Sequence, residues 1–80
     1  MLSKKDVISC ISKGLKIPIK KITINSSDKD FEQWDSLGHL NIMLTLDKKL
    51  KGKALKIANI SEAYSVKEIL KILKKKKLLK

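Results

Sequence analysis

Residues 37–50 place apolar side chains around more than half the circumference of a helix, which a small fold accommodates with difficulty. At 100° per residue they fall into two groups. One group is Ile42, Met43, Leu46 and Leu50. The other is Leu37, Leu40 and Leu44. A chain of 80 residues buries only a thin core, so either two neighbours cover this helix or part of its apolar surface meets a partner.

Capping residues followed by apolar repeats indicate two further helices. Ser3 and Asp6 have the spacing of a capping box and predict a helix over residues 4–14. Gly14 is expected to end that helix, because glycine is common just past a helix C-terminus. Ser65 and Glu68 form a second box and predict a helix over residues 66–74.

These segments predict one all-α domain over residues 1–80, a four-helix bundle with helices at 4–14, 36–50, 57–63 and 66–74. The third helix is short and is expected to bury Ile57 and Ile60. Residues 16–35 form a long first loop, for which Ile22 and Phe31 are the expected buried anchors. Residues 75–80 form a basic tail, expected to fray because the lysines at 74–77 repel one another.

The net charge of +11 is unevenly distributed, with 7 lysines and 5 acidic residues in residues 1–35 but 12 lysines and 3 acidic residues in residues 36–80. This distribution leaves open a basic helical module that binds nucleic acid or an anionic membrane without a prosthetic group. Against nucleic acid, all 19 basic residues are lysine, whereas arginine favours base and phosphate recognition. No apolar run approaches the length of a membrane span and no signal-peptide pattern opens the chain, so we expect a cytoplasmic protein without stable membrane insertion.

The chain offers little for metal binding or catalysis. Cys10 is the only cysteine, so an internal disulfide is impossible, and we expect it to be a small buried apolar residue. His39 is the only histidine, and it has no second histidine or cysteine partner for zinc. Neither a metal site nor a catalytic group is therefore predicted.

Ser36 admits three interpretations. Asp35 is a good N-cap, which makes Ser36 an ordinary polar residue in the first turn of a helix. As a nucleophile Ser36 would need a base, and His39 is three residues away, but "WDSLG" lacks the Gly-x-Ser-x-Gly pattern of hydrolases. As a modification site it has the exposure and the helix N-terminus that favour an attached phosphate. Helix rules alone favour the first interpretation.

The segment "DSLGHLNIMLTLDKKL" resembles the phosphopantetheine attachment segment of acyl carrier proteins, in which Asp-Ser-Leu opens the second helix. The resemblance covers nearly the whole chain. It implies that a phosphopantetheinyl transferase attaches 4′-phosphopantetheine from coenzyme A to Ser36, and that the arm carries an acyl or aminoacyl group as a thioester. Asp35 and Leu37 match the residues that flank the attachment serine. The chain is then a non-catalytic carrier, and the prosthetic group supplies the chemistry.

The same resemblance implies a monomer that docks a loading ligase and a downstream acyltransferase or synthase. The docking residues that it implies are Leu37, Leu40, Asn41, Leu44, Asp47 and Lys48. Carriers of fatty-acid synthesis usually have an acidic second helix, whereas on this helix Asp47 is the only acid after Asp35, and Lys48 and Lys49 follow it. Charge complementarity selects partners. We therefore expect a free-standing carrier of a specialised pathway, such as cell-surface polysaccharide or lipid modification or aminoacyl transfer.

Overall fold

The computed structural model describes residues 2–80, which form an all-α structure without strands. Its three α-helices are α1 (Lys4–Leu15), α2 (Ser36–Lys49) and α3 (Val66–Lys75). Two single turns of 3-10 helix, Ile19–Lys21 and Ile60–Glu62, lie in the connections. Among residues 2–80, no helix has the length and apolar character needed to cross a bilayer. The predicted all-α class is confirmed.

The predicted capping residues Ser3 and Ser65 precede α1 and α3, but only α1 has the complete capping box. Ser3 Oγ accepts a hydrogen bond from the Asp6 backbone N–H at 3.2 Å, and the Ser3 N–H donates to the Asp6 carboxylate at 2.9 Å. The bond from the Ser3 backbone, followed by that with its hydroxyl, lowers the pKa of Asp6 below its usual value. At the start of α3, Ser65 Oγ accepts from the Glu68 N–H at 3.1 Å.

Gly14 lies inside α1 and does not end it, contrary to the prediction. Lys16 follows the helix in the left-handed conformation, with φ of 59°. A Cβ atom at position 14 would lie 2.7 Å from the Ile42 backbone nitrogen and 2.8 Å from its Cα. Glycine is therefore present because the backbones of α1 and α2 meet at this point.

One face of α2 packs against α1, and its buried side chains join a core to which α3 also contributes. The core-facing group predicted from the sequence, Ile42, Met43, Leu46 and Leu50, is buried. α1 contributes Val7, Cys10, Ile11 and Leu15, and α3 contributes Val66, Ile69, Leu70 and Leu73. Cys10 has no exposed surface, as expected for a small apolar residue, and its burial raises the pKa of the thiol.

The third of the four predicted helices is reduced to a single 3-10 turn. Asn59 has φ of 72°, a left-handed conformation that a right-handed helix over residues 57–63 cannot contain. The helix therefore cannot start before Ile60, and the structure has only the turn Ile60–Glu62. Ile60 is nevertheless buried, while Ile57 is half-buried against the core.

The basic tail is tied to the N-terminal segment, where fraying was expected. The Leu2 N–H donates to the Leu78 carbonyl at 3.0 Å, and the Lys80 N–H donates to the Leu2 carbonyl at 2.8 Å. Leu2 and Leu79 are both buried. The lysines at 74–77 are exposed, so water screens their repulsion while burial of the two leucines holds the chain.

The first loop is held by three deeply buried side chains. Ile17 and Trp34 are buried along with Ile22, one of the two predicted anchors. Phe31, the other predicted anchor, is only half-buried against the core. The deepest anchor of the second half of the loop is thus Trp34, which directly precedes Asp35 and fixes the entry to α2.

Candidate functional site

Ser36 is exposed at the first residue of α2. Asp35 is the N-cap, as predicted, and its carboxylate accepts a hydrogen bond from the Gly38 N–H at 2.8 Å. The Asp35 carbonyl accepts from the His39 N–H, also at 2.8 Å. Because Asp35 performs the capping, the hydroxyl of Ser36 is not needed for it.

Gly38 brings the loop directly against the first turn of α2. A Cβ atom at this position would collide with the Gln33 carbonyl oxygen and lie 2.9 Å from the Leu15 side chain. Only glycine allows the loop backbone to approach this closely. Ser36 is therefore held at a corner between a pinned loop and a helix, and not on a free segment.

Leu37, Leu40 and Leu44 point away from the core and form an uncovered apolar surface, called here the leucine face. Their side chains are 67%, 48% and 46% exposed, whereas Ile42 and Leu46 on the opposite side of α2 are completely buried. Ser36 directly precedes this face. The structure thus brings an exposed hydroxyl and three exposed leucines onto one surface of one helix.

The other residues predicted for docking lie around the leucine face. Asn41 is half-buried and Lys48 is exposed. The carboxylate of Asp47 accepts a hydrogen bond from the Leu55 backbone N–H at 3.1 Å. Asp47 therefore fixes the turn that follows α2, a local role that sequence reasoning did not assign to it.

His39 does not serve Ser36, because it is buried with both ring nitrogens engaged. The Trp34 indole N–H donates to His39 Nδ1 at 3.0 Å, and His39 Nε2 lies 3.0 Å from the Ile60 carbonyl oxygen. An indole can only donate, so Nδ1 accepts, and Nε2 carries the proton that it donates to the carbonyl. These two bonds specify a neutral imidazole that cannot act as a base for Ser36.

The cluster of Trp34, His39 and Tyr64 was not predicted. The His39 ring stacks on Tyr64 with centroids 4.2 Å apart and planes inclined by 18°. The cluster joins the loop before α2, α2 itself and the segment before α3. The helical position of His39 does carry a signal, because at 100° per residue it falls among Ile42, Met43 and Leu46 on the buried side.

Replacement of His39 by phenylalanine is expected to lower the free energy of unfolding by about 2–4 kcal/mol. The aromatic ring can still stack on Tyr64, but the Trp34 N–H and the Ile60 carbonyl lose their partners, and each buried orphan costs about 1–3 kcal/mol. Urea denaturation followed by circular dichroism measures the change. Lys49→Ala, an exposed change on the same helix, is the control and should shift stability by less than about 0.5 kcal/mol. Equal effects of the two substitutions would contradict the hydrogen-bonded role.

Charge is distributed along α2 with opposite signs at its two ends. The acidic loop, residues 28–35, ends at Ser36 and contains exposed Asp28, Asp30, Glu32 and Asp35. The basic end, beyond the last leucine of the face, contains exposed Lys48, Lys49, Lys51, Lys53 and Lys56. α2 has 14 residues, so the two ends are about 21 Å apart.

Two grooves lie away from Ser36. One, of about 540 Å³, runs between residues 58–63 and α3 and has Glu62, Glu68 and Lys71 in its wall. The other, of about 340 Å³, lies at the basic end and is lined by Lys49, Lys51, Lys53 and Lys77 with two leucines. Among residues 2–80, no group of three or more His, Cys, Asp or Glu side chains is placed to hold a metal ion.

Comparison with known proteins gives no match to this chain, whether with family models, with curated proteins or with solved structures. The surface around Ser36 therefore has to be interpreted from its own geometry and from the sequence motif that it contains. That surface combines an exposed serine at a helix N-terminus, a capping aspartate and an uncovered leucine face.

Proposed function

We propose that this chain is an acyl carrier protein, whose three α-helices and 3-10 turn correspond to the helices of a carrier four-helix bundle. In this proposal Ser36 bears 4′-phosphopantetheine, and the arm holds an acyl or aminoacyl group as a thioester. The observation that carries the proposal is the exposed Ser36 at the first residue of α2, next to leucines that the fold leaves uncovered.

The residues at this corner suit the prosthetic group. The N-terminus of α2 has a partial positive charge that stabilises a phosphodiester on the Ser36 oxygen. Asp35 caps the helix without Ser36, so esterification of the hydroxyl costs no capping hydrogen bond. When bound, the group supplies a thiol on a flexible arm, while the chain supplies its position and the surface that partners recognise.

The proposal assigns roles to the residues around Ser36. Asp35 and Leu37 flank the attachment point, and Leu40 and Leu44 extend the surface on which enzymes dock. Asn41, Asp47 and Lys48 border it. The partners are the phosphopantetheinyl transferase, a loading ligase and a downstream acyltransferase or synthase, and the basic charge of α2 and its following turn favours a specialised pathway over central fatty-acid synthesis.

Incubation of the purified chain with coenzyme A and a broad-specificity transferase is expected to add the mass of one phosphopantetheine. The buried Cys10 gives an independent measurement of the same event. Its pKa is raised by burial, so at neutral pH it is a protonated thiol shielded from reagents. A colorimetric thiol titration of the folded protein should count no reactive thiol before the reaction and one after it.

The same titration in guanidinium should count one thiol before the reaction and two after it, because unfolding exposes Cys10. A known acyl carrier protein treated in parallel establishes that the transferase is active. If that control is modified and this chain gains neither mass nor a thiol, the carrier function is wrong. Salt-sensitive binding of nucleic acid by the unmodified chain would then support the basic module.

A further inference from the structure

The leucine face continues beyond α2 at the end remote from Ser36. Its three leucines, spaced at i, i+3 and i+7, span about 10 Å along the helix. Leu55, which is 50% exposed, is held next to Asp47 by the hydrogen bond from its N–H to that carboxylate. Asp47 lies one turn beyond Leu44, so Leu55 extends the apolar surface towards the basic end.

Charges of opposite sign lie at the two ends of this apolar surface. Lys48 lies one turn after Leu44 on the same side of α2, and Lys56 directly follows Leu55 in the turn after the helix. The only acid among residues 36–56 is Asp47, whose carboxylate bonds to the Leu55 N–H. At the other end, the acidic loop adjoins Ser36 and Leu37. A partner surface with complementary charge is therefore acidic only where it meets the basic end.

A second copy of this chain fits the leucine face poorly. A stable homodimer interface buries about 800 Å² on each partner, far more than three partly exposed leucines and one neighbour offer, whereas a transient complex with an enzyme can be smaller. Pairing through this face would also cover Ser36, because that residue directly precedes Leu37. An anionic membrane fits poorly as well, because it would repel the acidic loop, which carries four exposed carboxylates and leads directly into Ser36 and Leu37.

We propose that the leucine face docks in an apolar recess of a partner enzyme, and that carboxylates border this recess where it meets Lys48 and Lys56. The proposal rests on the carrier function and specifies the chemistry of the partner. The leucines provide the contact area, while the lysines orient the carrier so that Ser36 lies at the opposite end, facing the enzyme entrance. Charge pairs at such a border set on-rate and partner choice.

Two synthetic helical peptides with the same leucine side, one flanked by glutamates and one by lysines, serve as probes of this surface. Binding is measured by titration of ¹⁵N-labelled protein. The glutamate peptide is expected to bind about tenfold more tightly at low salt, and to shift the amide signals of residues 37–44 and 55. Equal binding of the two peptides, or shifts confined to other residues, would overturn the proposal.

Charge-reversed variants separate a local border from the general effect of net charge. The Lys48→Glu, Lys56→Glu variant is expected to lose at least about tenfold in affinity for the glutamate peptide. The matched control, Lys5→Glu, Lys71→Glu, changes net charge equally on α1 and α3 and should lose less than about threefold. Equal losses in the two variants would show that the effect comes from net charge, and would refute the proposed border. If the first variant does not fold, both lysines are changed to glutamine instead, with an intermediate loss expected.

The other occupants are tested in parallel. Stronger binding to phosphatidylserine vesicles than to the glutamate peptide, lost in Leu40→Ser, would assign the face to a membrane and overturn the proposal. A dimer in sedimentation that Leu40→Ser dissociates would assign it to a second copy. All binding is repeated on Ser36→Ala, so the docking surface is judged by binding while the carrier function is judged by the mass increase, and either can fail alone.

Discussion

A Ser36→Ala chain is expected to fold like the parent chain and to take up no phosphopantetheine. Arm attachment requires the Ser36 oxygen, which alanine lacks, so the mass increase should disappear entirely. Stability should change by less than about 0.5 kcal/mol, because Ser36 is exposed, Asp35 provides the cap, and alanine is the best helix former. Intact-mass analysis after the transferase reaction and a thermal melt measure the two effects separately.

Ser61→Ala is the matched control for this prediction. Ser61 is also an exposed serine and lies in the 3-10 turn Ile60–Glu62, away from the N-terminus of any α-helix. Its replacement should leave the mass increase unchanged. Modification of Ser36→Ala at the parental rate would mean that another residue is the attachment point, and the account of α2 as the presenting helix would then be wrong.

Gly14→Ala is expected to destabilise the fold by about 2 kcal/mol, in the middle of the range for overpacked cores, and to lower the melting temperature by about 10 °C. The new Cβ would lie 2.7 Å from the Ile42 nitrogen and 2.8 Å from the Ile42 Cα. Both are backbone atoms in the middle of α2, so no side chain can rotate to make room. The two helices must separate, which loosens the contacts of Ile11 and Ile42 in the core.

Lys13→Ala, one residue away on the exposed side of α1, is the control for Gly14→Ala. It introduces the same side chain into the same turn without a clash, so its effect should stay within about 0.5 kcal/mol. Denaturation in urea measures both variants. A Gly14→Ala chain as stable as the parent would show that α1 and α2 do not meet at this position.

The helix starts could be predicted because capping is local. The hydrogen bonds of Ser3 with Asp6 and of Ser65 with Glu68 join residues three apart, so each signal is complete within four residues. The same holds for Asp35, which bonds to Gly38. The division of α2 into buried and exposed leucines could also be predicted, because 100° of rotation per residue is a property of the helix alone.

Two of the errors come from contacts between distant parts of the chain, and a third comes from the local backbone conformation of one residue. Gly14 was predicted to end α1, but it lies where α1 contacts the backbone of Ile42. The tail was predicted to fray, but Leu79 is buried and the tail is hydrogen-bonded to Leu2. The predicted third helix is absent because Asn59 adopts a left-handed conformation, which the spacing of apolar residues does not indicate.

In the candidate site, too, some features could be predicted from local sequence and others depend on distant contacts. Asp35, Ser36 and the three leucines of the leucine face follow each other on one helix, so sequence reasoning could place them on one surface. The hydrogen bonds of His39 with Trp34 and Ile60 form only when three separate segments of the chain meet. They give His39 a structural role and exclude the contact with Ser36 that the sequence allowed. The carrier function itself remains a prediction, supported by the motif and by the exposure of Ser36.

The sequence by itself determined the all-α class, the starts of the three helices and the exposed position of Ser36 beside an apolar stripe. Each of these follows from interactions between residues within about two helical turns. Only the tertiary structure decided which glycines separate packed backbones, how the tail is held and what His39 binds. Those outcomes depend on close packing between segments far apart in the chain, where adding or removing a single side-chain atom changes which contacts can form.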